Sequence, residues 1–126
     1  MVVKDRYTLD DIANLVEVPQ EVSPAAQAST NSYVAVTGSP LDVTWQKSVA
    51  YTIENTGADT IDWRVVAGNA SDFSDAIIVQ AEAAVAAAAF GNYSVVTAVW
   101  KHYRVEVKST VADTPGEATV LGVGKG

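Results

Sequence analysis

The run from Val43 to Glu54, followed at once by Asn55-Thr56-Gly57, constrains the fold of this chain more than any other stretch. Its odd positions are mostly apolar and its even positions are polar or small, and only Lys47 breaks the alternation. A period of two is that of a strand with one face in a core and the other in water. The Asn-Thr-Gly sequence favours a turn, and a second alternating run begins at Thr60. Together the two runs predict a β-hairpin within an antiparallel sandwich.

Similar strand patterns recur along the chain and are separated by residues that favour turns. They cover residues 33–37, 60–66, 76–81, 93–97, 103–108 and 119–123. Many short strands at this spacing indicate an all-β sandwich or barrel. The side chains that share the inward phase form the predicted core: Trp45, Val49, Tyr51, Ile53, Ile61, Trp63, Val65, Tyr103, Val105 and Val107.

Residues 80–90, with the sequence QAEAAVAAAAF, allow two interpretations. The alanines give the segment high helix propensity. Its only large apolar side chains are Val85 and Phe90, which make a thin apolar stripe for a packed helix. A strand of small residues would fit where a neighbouring element approaches closely. We favour strand or irregular structure over helix here.

Residues 1–32 differ in character from residues 33–126, which form the predicted sandwich domain. The sequence Thr8-Leu9-Asp10-Asp11 fits a helix-capping box with Asp in place of Glu, and apolar residues follow it at helical spacing. They predict a short amphipathic helix over roughly residues 8–16, which is not stable alone in water. The Pro-containing stretch after it is typical of an extended tether. We expect either a docking arm, with Leu9, Ile12 and Val16 against a neighbouring subunit, or a frayed terminus.

Composition argues against several classes of function. The 126 residues suffice for one domain, and the net charge of −7 argues against binding nucleic-acid phosphates or anionic lipid, which require clustered Lys and Arg. There is no cysteine and only one histidine, so neither a disulfide nor a zinc site is expected. The sequence shows no signal-peptide core and no apolar run long enough to span a membrane. We expect no metal, no cofactor and no enzymatic activity.

The segment around the single histidine supplies a candidate interface. If the alternation of the strand 103–108 extends backwards, Trp100, His102 and Arg104 lie together on its outward face. Exposed Trp and Arg are common interface anchors. Two other interpretations remain open. The register can shift before Tyr103 and bury Trp100, and Arg104 can form an ordinary ion pair with Glu106.

Two parts of the sequence resemble known families. The stretch Tyr51-Thr-Ile-Glu-Asn-Thr-Gly57, with Trp63-Arg64-Val65, resembles the opening hairpin of immunoglobulin-like modules. The stretches Tyr103-Arg-Val-Glu-Val-Lys-Ser109 and Thr114-Pro-Gly-Glu-Ala-Thr-Val120, with the Gly-rich end, are similar to small virion proteins of tailed bacteriophages. These proteins decorate capsids or join head and tail parts. The quoted residues are strand and turn residues, so no functional residue is carried over.

The resemblance implies an immunoglobulin-like sandwich with an N-terminal arm, serving as a structural virion subunit. The expected role is that of a capsid-bound decoration or minor head protein, assembled in the host cytoplasm. Its expected partners are other virion proteins and further copies of itself, with neither nucleic acid nor a membrane. The alternative is a carbohydrate- or receptor-binding module of a phage tail or baseplate, which would expose a platform of Trp and Tyr.

Overall fold

The computed structural model describes residues 20–22 and 26–125, and this part of the chain contains ten strands and no helix. The strands are β1 (Gln20–Val22), β2 (Ala26–Ala28), β3 (Val34–Ala35), β4 (Leu41–Asp42), β5 (Ser48–Asn55), β6 (Ile61–Gly68), β7 (Ile77–Val85), β8 (Phe90–Val95), β9 (His102–Ser109) and β10 (Glu117–Lys125).

Two antiparallel sheets pack face to face. The first sheet has the order β1-β10-β5-β8, and β2 also pairs with β10. The second has the order β3-β9-β6-β7, and β4 also pairs with β9. The inward side chains of both sheets form one core, whose largest fully buried members are Trp63, Tyr51, Tyr103, Ile53 and Ile61. The prediction of an all-β antiparallel sandwich is confirmed.

From β5 onward, consecutive strands lie in opposite sheets and do not pair with each other, except β6 and β7, which form a hairpin. Each sheet has five strands, but β1 and β2 share one edge of β10, and β3 and β4 share one edge of β9. Each sheet therefore has four strand positions, and their connectivity is that of a jelly roll. The immunoglobulin-like connectivity is not confirmed.

The predicted hairpin between β5 and β6 is wrong, because the two strands lie in different sheets. The Asn-Thr-Gly turn is instead an arch over the core. The buried amide of Asn55 donates to the carbonyls of Asp59 at 2.8 Å and Val85 at 2.9 Å, and its oxygen accepts from Gly57 N–H at 3.0 Å. One side chain therefore holds the arch and ties it to the end of β7. The turn residues correctly predict that the chain reverses here, but they do not determine which strands pair.

Trp45 was predicted in the core, and this is wrong, because its side chain is 82% exposed. The alternating run is two pieces: Val43 ends the second-sheet segment, and β5 begins at Ser48 in the first sheet. Between them the chain turns, with Gln46 N–H donating to Val43 C=O at 3.0 Å. The alternation of inward and outward side chains therefore does not continue from one sheet to the other. Lys47, which breaks the alternation in the sequence, marks the place.

The other predicted core residues are buried, and small residues make room for them. A Cβ at Gly91 of β8 would lie 2.9 Å from the Trp63 ring, so the glycine lets the indole sit against the facing sheet. The Tyr51 hydroxyl lies 2.6 Å from the Ser39 carbonyl and 3.0 Å from that of Tyr103. Burial raises the pKa of this hydroxyl, which keeps it a donor inside the core.

The segment 80–90 is strand and turn, as favoured. β7 continues to Val85, and β8 begins at Phe90. Ala88 takes a left-handed conformation with φ of 63°, and its N–H donates to Asn55 C=O at 2.9 Å. The turn is therefore held by the same asparagine that holds the arch.

Part of the predicted arm 1–32 belongs to the sandwich. The backbones of β1 and β2 lie along the outer edge of β10, and Ser29 Oγ accepts from Gly116 N–H at 2.7 Å. Residues 20–22 and 26–28, on the arm side of the predicted boundary at residue 32, thus pair with the sandwich. The predicted helix over residues 8–16, with Leu9, Ile12 and Val16, lies outside the described residues.

Candidate interaction surfaces

The outer face of the second sheet is charged and internally paired. Strand β9 places His102, Arg104, Glu106 and Lys108 there, because every second residue points away from the core. Glu106 is largely buried, and its carboxylate accepts from both neighbouring guanidinium groups. Its distances are 2.7 Å to Nη2 of Arg64 on β6 and 2.8 Å to Nη2 of Arg104. Two cations thus share one carboxylate.

The loop 69–76 folds back over this face. The Phe73 ring lies against Arg104, whose guanidinium carbon is 4.4 Å from the ring centre, and contacts His102 edge to face at 6.2 Å. The Asp75 carboxylate holds the loop by accepting from the N–H groups of Asn69 at 3.0 Å and Ala70 at 3.1 Å. These hydrogen bonds lower the pKa of Asp75.

A second cluster lies further along the same face. The Arg64 guanidinium stacks on the Tyr33 ring at 3.9 Å, and the Tyr33 hydroxyl donates to Glu82. Burial, followed by the bond to Glu82, raises the pKa of Tyr33, and the same bond lowers the pKa of Glu82. Lys108 Nζ lies 3.4 Å from the Glu82 carboxylate. The polar groups of this cluster are thus engaged by one cation–π contact, one hydrogen bond and one ion pair.

The predicted interface residues are therefore only partly brought together. His102 and Arg104 share the outer face, but both are half-buried under Phe73. Trp100 is half-buried and packs against the core instead, because β9 begins at His102 and the alternation does not reach back to it. The alternative interpretation of Arg104 as the ion-pair partner of Glu106 is the observed one.

The three most exposed large apolar side chains lie at one end of the sandwich, which the sequence patterns did not reveal; others, Ile77, Ile78, Phe90, Val111 and Leu121, lie elsewhere on the surface. The loops 43–47 and 96–101 meet there, joined by the hydrogen bonds Ala98 N–H to Lys47 C=O and Val43 N–H to Lys101 C=O. Trp45 is 82% exposed, Val96 85% and Val99 72%.

Three exposed lysines surround these apolar side chains. Lys47 and Lys101 lie on the two loops, and Lys125 lies beside them, because its carbonyl accepts from Lys47 N–H at 3.0 Å. None of the three forms an ion pair with the residues whose side chains the structure describes. We call Trp45, Lys47, Val96, Val99, Lys101 and Lys125 the lysine end.

The carboxylates of acidic residues near the lysine end accept hydrogen bonds from their own loops. Asp42 accepts from the Thr44 hydroxyl at 2.6 Å and from Thr44 N–H at 3.0 Å, and these bonds lower its pKa. Asp72 accepts from Ser74 N–H at 3.0 Å within the loop that covers the second sheet. The two loops that carry Trp45, Val96 and Val99 contain no acidic residue.

The described residues form no pocket and no group of three or more possible metal ligands. Within the same part of the chain, no helix is long and apolar enough to cross a membrane. Every buried side-chain nitrogen and oxygen there has a hydrogen-bond partner.

Comparison with solved structures finds the same fold in distant proteins. The Bacillus endospore appendages, disulfide-linked pili, match with a TM-score of 0.50 and 14% identity, over 85% of this chain and 86% of theirs. The SPBc2 prophage-derived protein YomS matches with a TM-score of 0.52 and 13% identity, over 86% of this chain and 95% of its own.

The PBSX exported protein XepA matches with a TM-score of 0.56 and 13% identity, over 95% of this chain but only 43% of its own. At these identities the likeness is one of fold alone. No protein-family model and no curated protein matches the sequence.

Proposed function

We propose that this chain is a non-enzymatic structural subunit of a tailed-bacteriophage particle, bound to the capsid as a decoration or minor head protein. It acts by burying surface against other virion proteins. The observation that carries the proposal is the lysine end, where Trp45, Val96 and Val99 are exposed together on a closed sandwich. Apolar side chains concentrated in this way are typical of an association surface.

Two further observations support the proposal at the level of fold. Jelly rolls are common in viral capsid domains, and YomS, which shares the fold, is a prophage-derived protein. Fold does not by itself determine function, so these observations support a structural role in a virion at the level of fold only. Residues 1–19 would add a second contact as a docking arm, and linked contacts raise avidity without tighter individual binding.

The test is quantitative mass spectrometry of particles purified from the strain that carries the gene. Hundreds of copies per particle support a capsid component, whereas a dozen or fewer correct the assignment to a neck or tail part. Absence of the chain from all purified particles overturns the proposal. The variant Trp45→Ala should be incorporated less, while Leu121→Ala, on the outer face of the first sheet, is the matched control.

A second candidate is a carbohydrate-binding module, which the exposed Trp45 favours because sugar rings stack on such side chains. Among the residues that the structure describes, the tyrosines do not extend it into a platform. Tyr51 and Tyr103 are buried, Tyr93 packs against the core, and Tyr33 is covered by Arg64. Saturable binding to a glycan array that is lost in Trp45→Ala would favour this candidate.

A further inference from the structure

The loops at the end of the sandwich opposite the lysine end carry only negative charge. These loops, residues 29–33, 56–60, 86–89 and 110–116, contain two aspartates and no lysine or arginine. Two glutamates lie on the adjoining strand ends, and Lys108, next to last in β9, forms an ion pair with Glu82. We call this surface the acidic end, and its carboxylates are Glu54, Asp59, Asp113 and Glu117.

The acidic end also presents small apolar side chains. Val111 is exposed, and so are alanines from three of the four loops: Ala58, Ala86, Ala87, Ala88 and Ala112. These residues are short, so they leave a low apolar surface with carboxylates around it. A large side chain of another molecule can pack on such a surface without displacing a side chain of this chain.

The acidic end is already ordered in the isolated chain. Asn31 and Asp113 exchange two hydrogen bonds, each of 2.9 Å, which link the β2–β3 loop to the β9–β10 loop. The Thr56 hydroxyl donates to the Glu117 carboxylate at 2.9 Å. Docking onto preformed loops avoids much of the entropy cost of ordering them.

We propose that the lysine end of one copy docks on the acidic end of a second copy of this chain. The exposed indole of Trp45 and the two valines would cover the alanines and Val111, and the three lysines would face the carboxylates. Asp42, Asp72 and Asp75 also lie at the end that carries the lysines, so the charge complementarity is local to the loops 43–47 and 96–101, whose charged residues are Lys47 and Lys101. In the proposed orientation these two lysines face carboxylates, whereas in a contact between two lysine ends they face each other. The inference rests on the assignment of the lysine end as a contact surface in the proposed function, and it names the partner of that surface.

The position of the two ends determines the kind of assembly. They lie at opposite ends of the same strands, and β10 with its nine residues spans about 30 Å. A contact between two different surfaces of one chain is heterologous, and it produces an open stack unless a rotation closes it into a ring. The chain has no cysteine, so the stack would be held without disulfides and would weaken as salt screens the charges.

The first experiment is sedimentation velocity of the full chain over a range of protein concentrations, in low and high salt. We expect species larger than a dimer that grow with concentration and shrink in high salt. Trp45→Ala should weaken the association by at least about tenfold, as expected for a central aromatic anchor. Leu121→Ala removes an equally apolar exposed side chain outside both ends and should leave it unchanged.

A charge exchange tests the orientation directly. The double variant Lys47→Glu/Lys101→Glu removes the positive charge from the loops of the lysine end, and Glu54→Lys/Asp59→Lys adds positive charge to the acidic end. Each should remain monomeric alone, whereas an equimolar mixture of the two should associate again. Lys47, Lys101 and Asp59 are exposed and Glu54 is half-exposed, so circular dichroism should show wild-type folding.

A chain that remains monomeric at every concentration overturns the inference, as does association that the charge exchange leaves unchanged. A monomer that binds vesicles of anionic phospholipid through Trp45 also overturns it and assigns the lysine end to a lipid surface. A monomeric chain found in purified particles removes this inference but keeps the proposed function. Self-association of a chain that is absent from purified particles keeps the contact between the two ends but removes the proposed virion function.

Discussion

Trp45 and Trp63 have the same position in the alternating sequence pattern, yet one is 82% exposed and the other 2%. Trp63 lies in the middle of β6, whose pairing with β7 and β9 fixes the direction of every side chain. Trp45 lies where the chain leaves one sheet for the other, so no ladder fixes its direction. The difference shows that alternation reports burial only where the strand continues through it.

The largest expected effect follows from the buried member of this pair. Trp63→Ala removes a large side chain from the centre of the core, and the free energy of unfolding should fall by about 3–5 kcal/mol. Chemical denaturation followed by circular dichroism measures it. A loss below 1 kcal/mol would mean that the indole is not packed as described and would remove the contrast with Trp45.

A smaller loss is expected at the arch between β5 and β6, where the chain also changes sheets. Asn55→Ala leaves the buried carbonyls of Asp59 and Val85 without their donor, which should cost about 1–3 kcal/mol. Thr56→Ala is the matched control, since its hydroxyl bonds to Glu117 at the surface. An equal loss in both variants would show that the buried amide has no special role. The arch contains no large apolar residue, so this crossing, unlike that at Trp45, exposes none.

The long strands and the burial of nearly all the predicted core residues follow from the sequence, because each depends on a period of two within a few residues. The short strands β1, β2 and β4, and core residues such as Val36, Leu41 and Val120, were not predicted. The sheet to which each strand belongs could not be predicted, since partner choice depends on contacts far apart in the chain. Trp45 failed for this reason, although Lys47 already marked the break. The same distinction between local and distant contacts applies to the surfaces. The ion pair of Arg104 with Glu106 joins residues two apart in the chain, and the sequence predicts it as one of the two interpretations of Arg104. The cover supplied by Phe73 comes from a loop about thirty residues away.

The pH dependence of stability at the loop next to Trp45 also tests the comparison between the two tryptophans. Hydrogen bonds from Thr44 lower the pKa of Asp42 in the folded state. A carboxyl with a lowered pKa stabilises the fold above its unfolded pKa, and this contribution is lost as the pH falls through the folded value. Melting temperatures between about pH 5 and pH 2 should therefore fall less in Asp42→Asn than in the wild type. The effect should be small, because the carboxyl is well exposed. Parallel curves for the two proteins would show that Asp42 does not hold this loop.

The smallest effect on stability is expected at the exposed member of the pair. Trp45→Ala removes a side chain that contacts little of the fold, so the free energy of unfolding of the monomer should change by no more than about 0.5 kcal/mol. The measurement is the same denaturation used for Trp63→Ala, made at a protein concentration where the chain is monomeric. A loss of several kcal/mol would place Trp45 in the core after all and return the whole run from Val43 to Glu54 to a single strand. If stability is unchanged while association is lost, the two tryptophans are separated by function: Trp63 holds the sandwich together, and Trp45 is available to a partner.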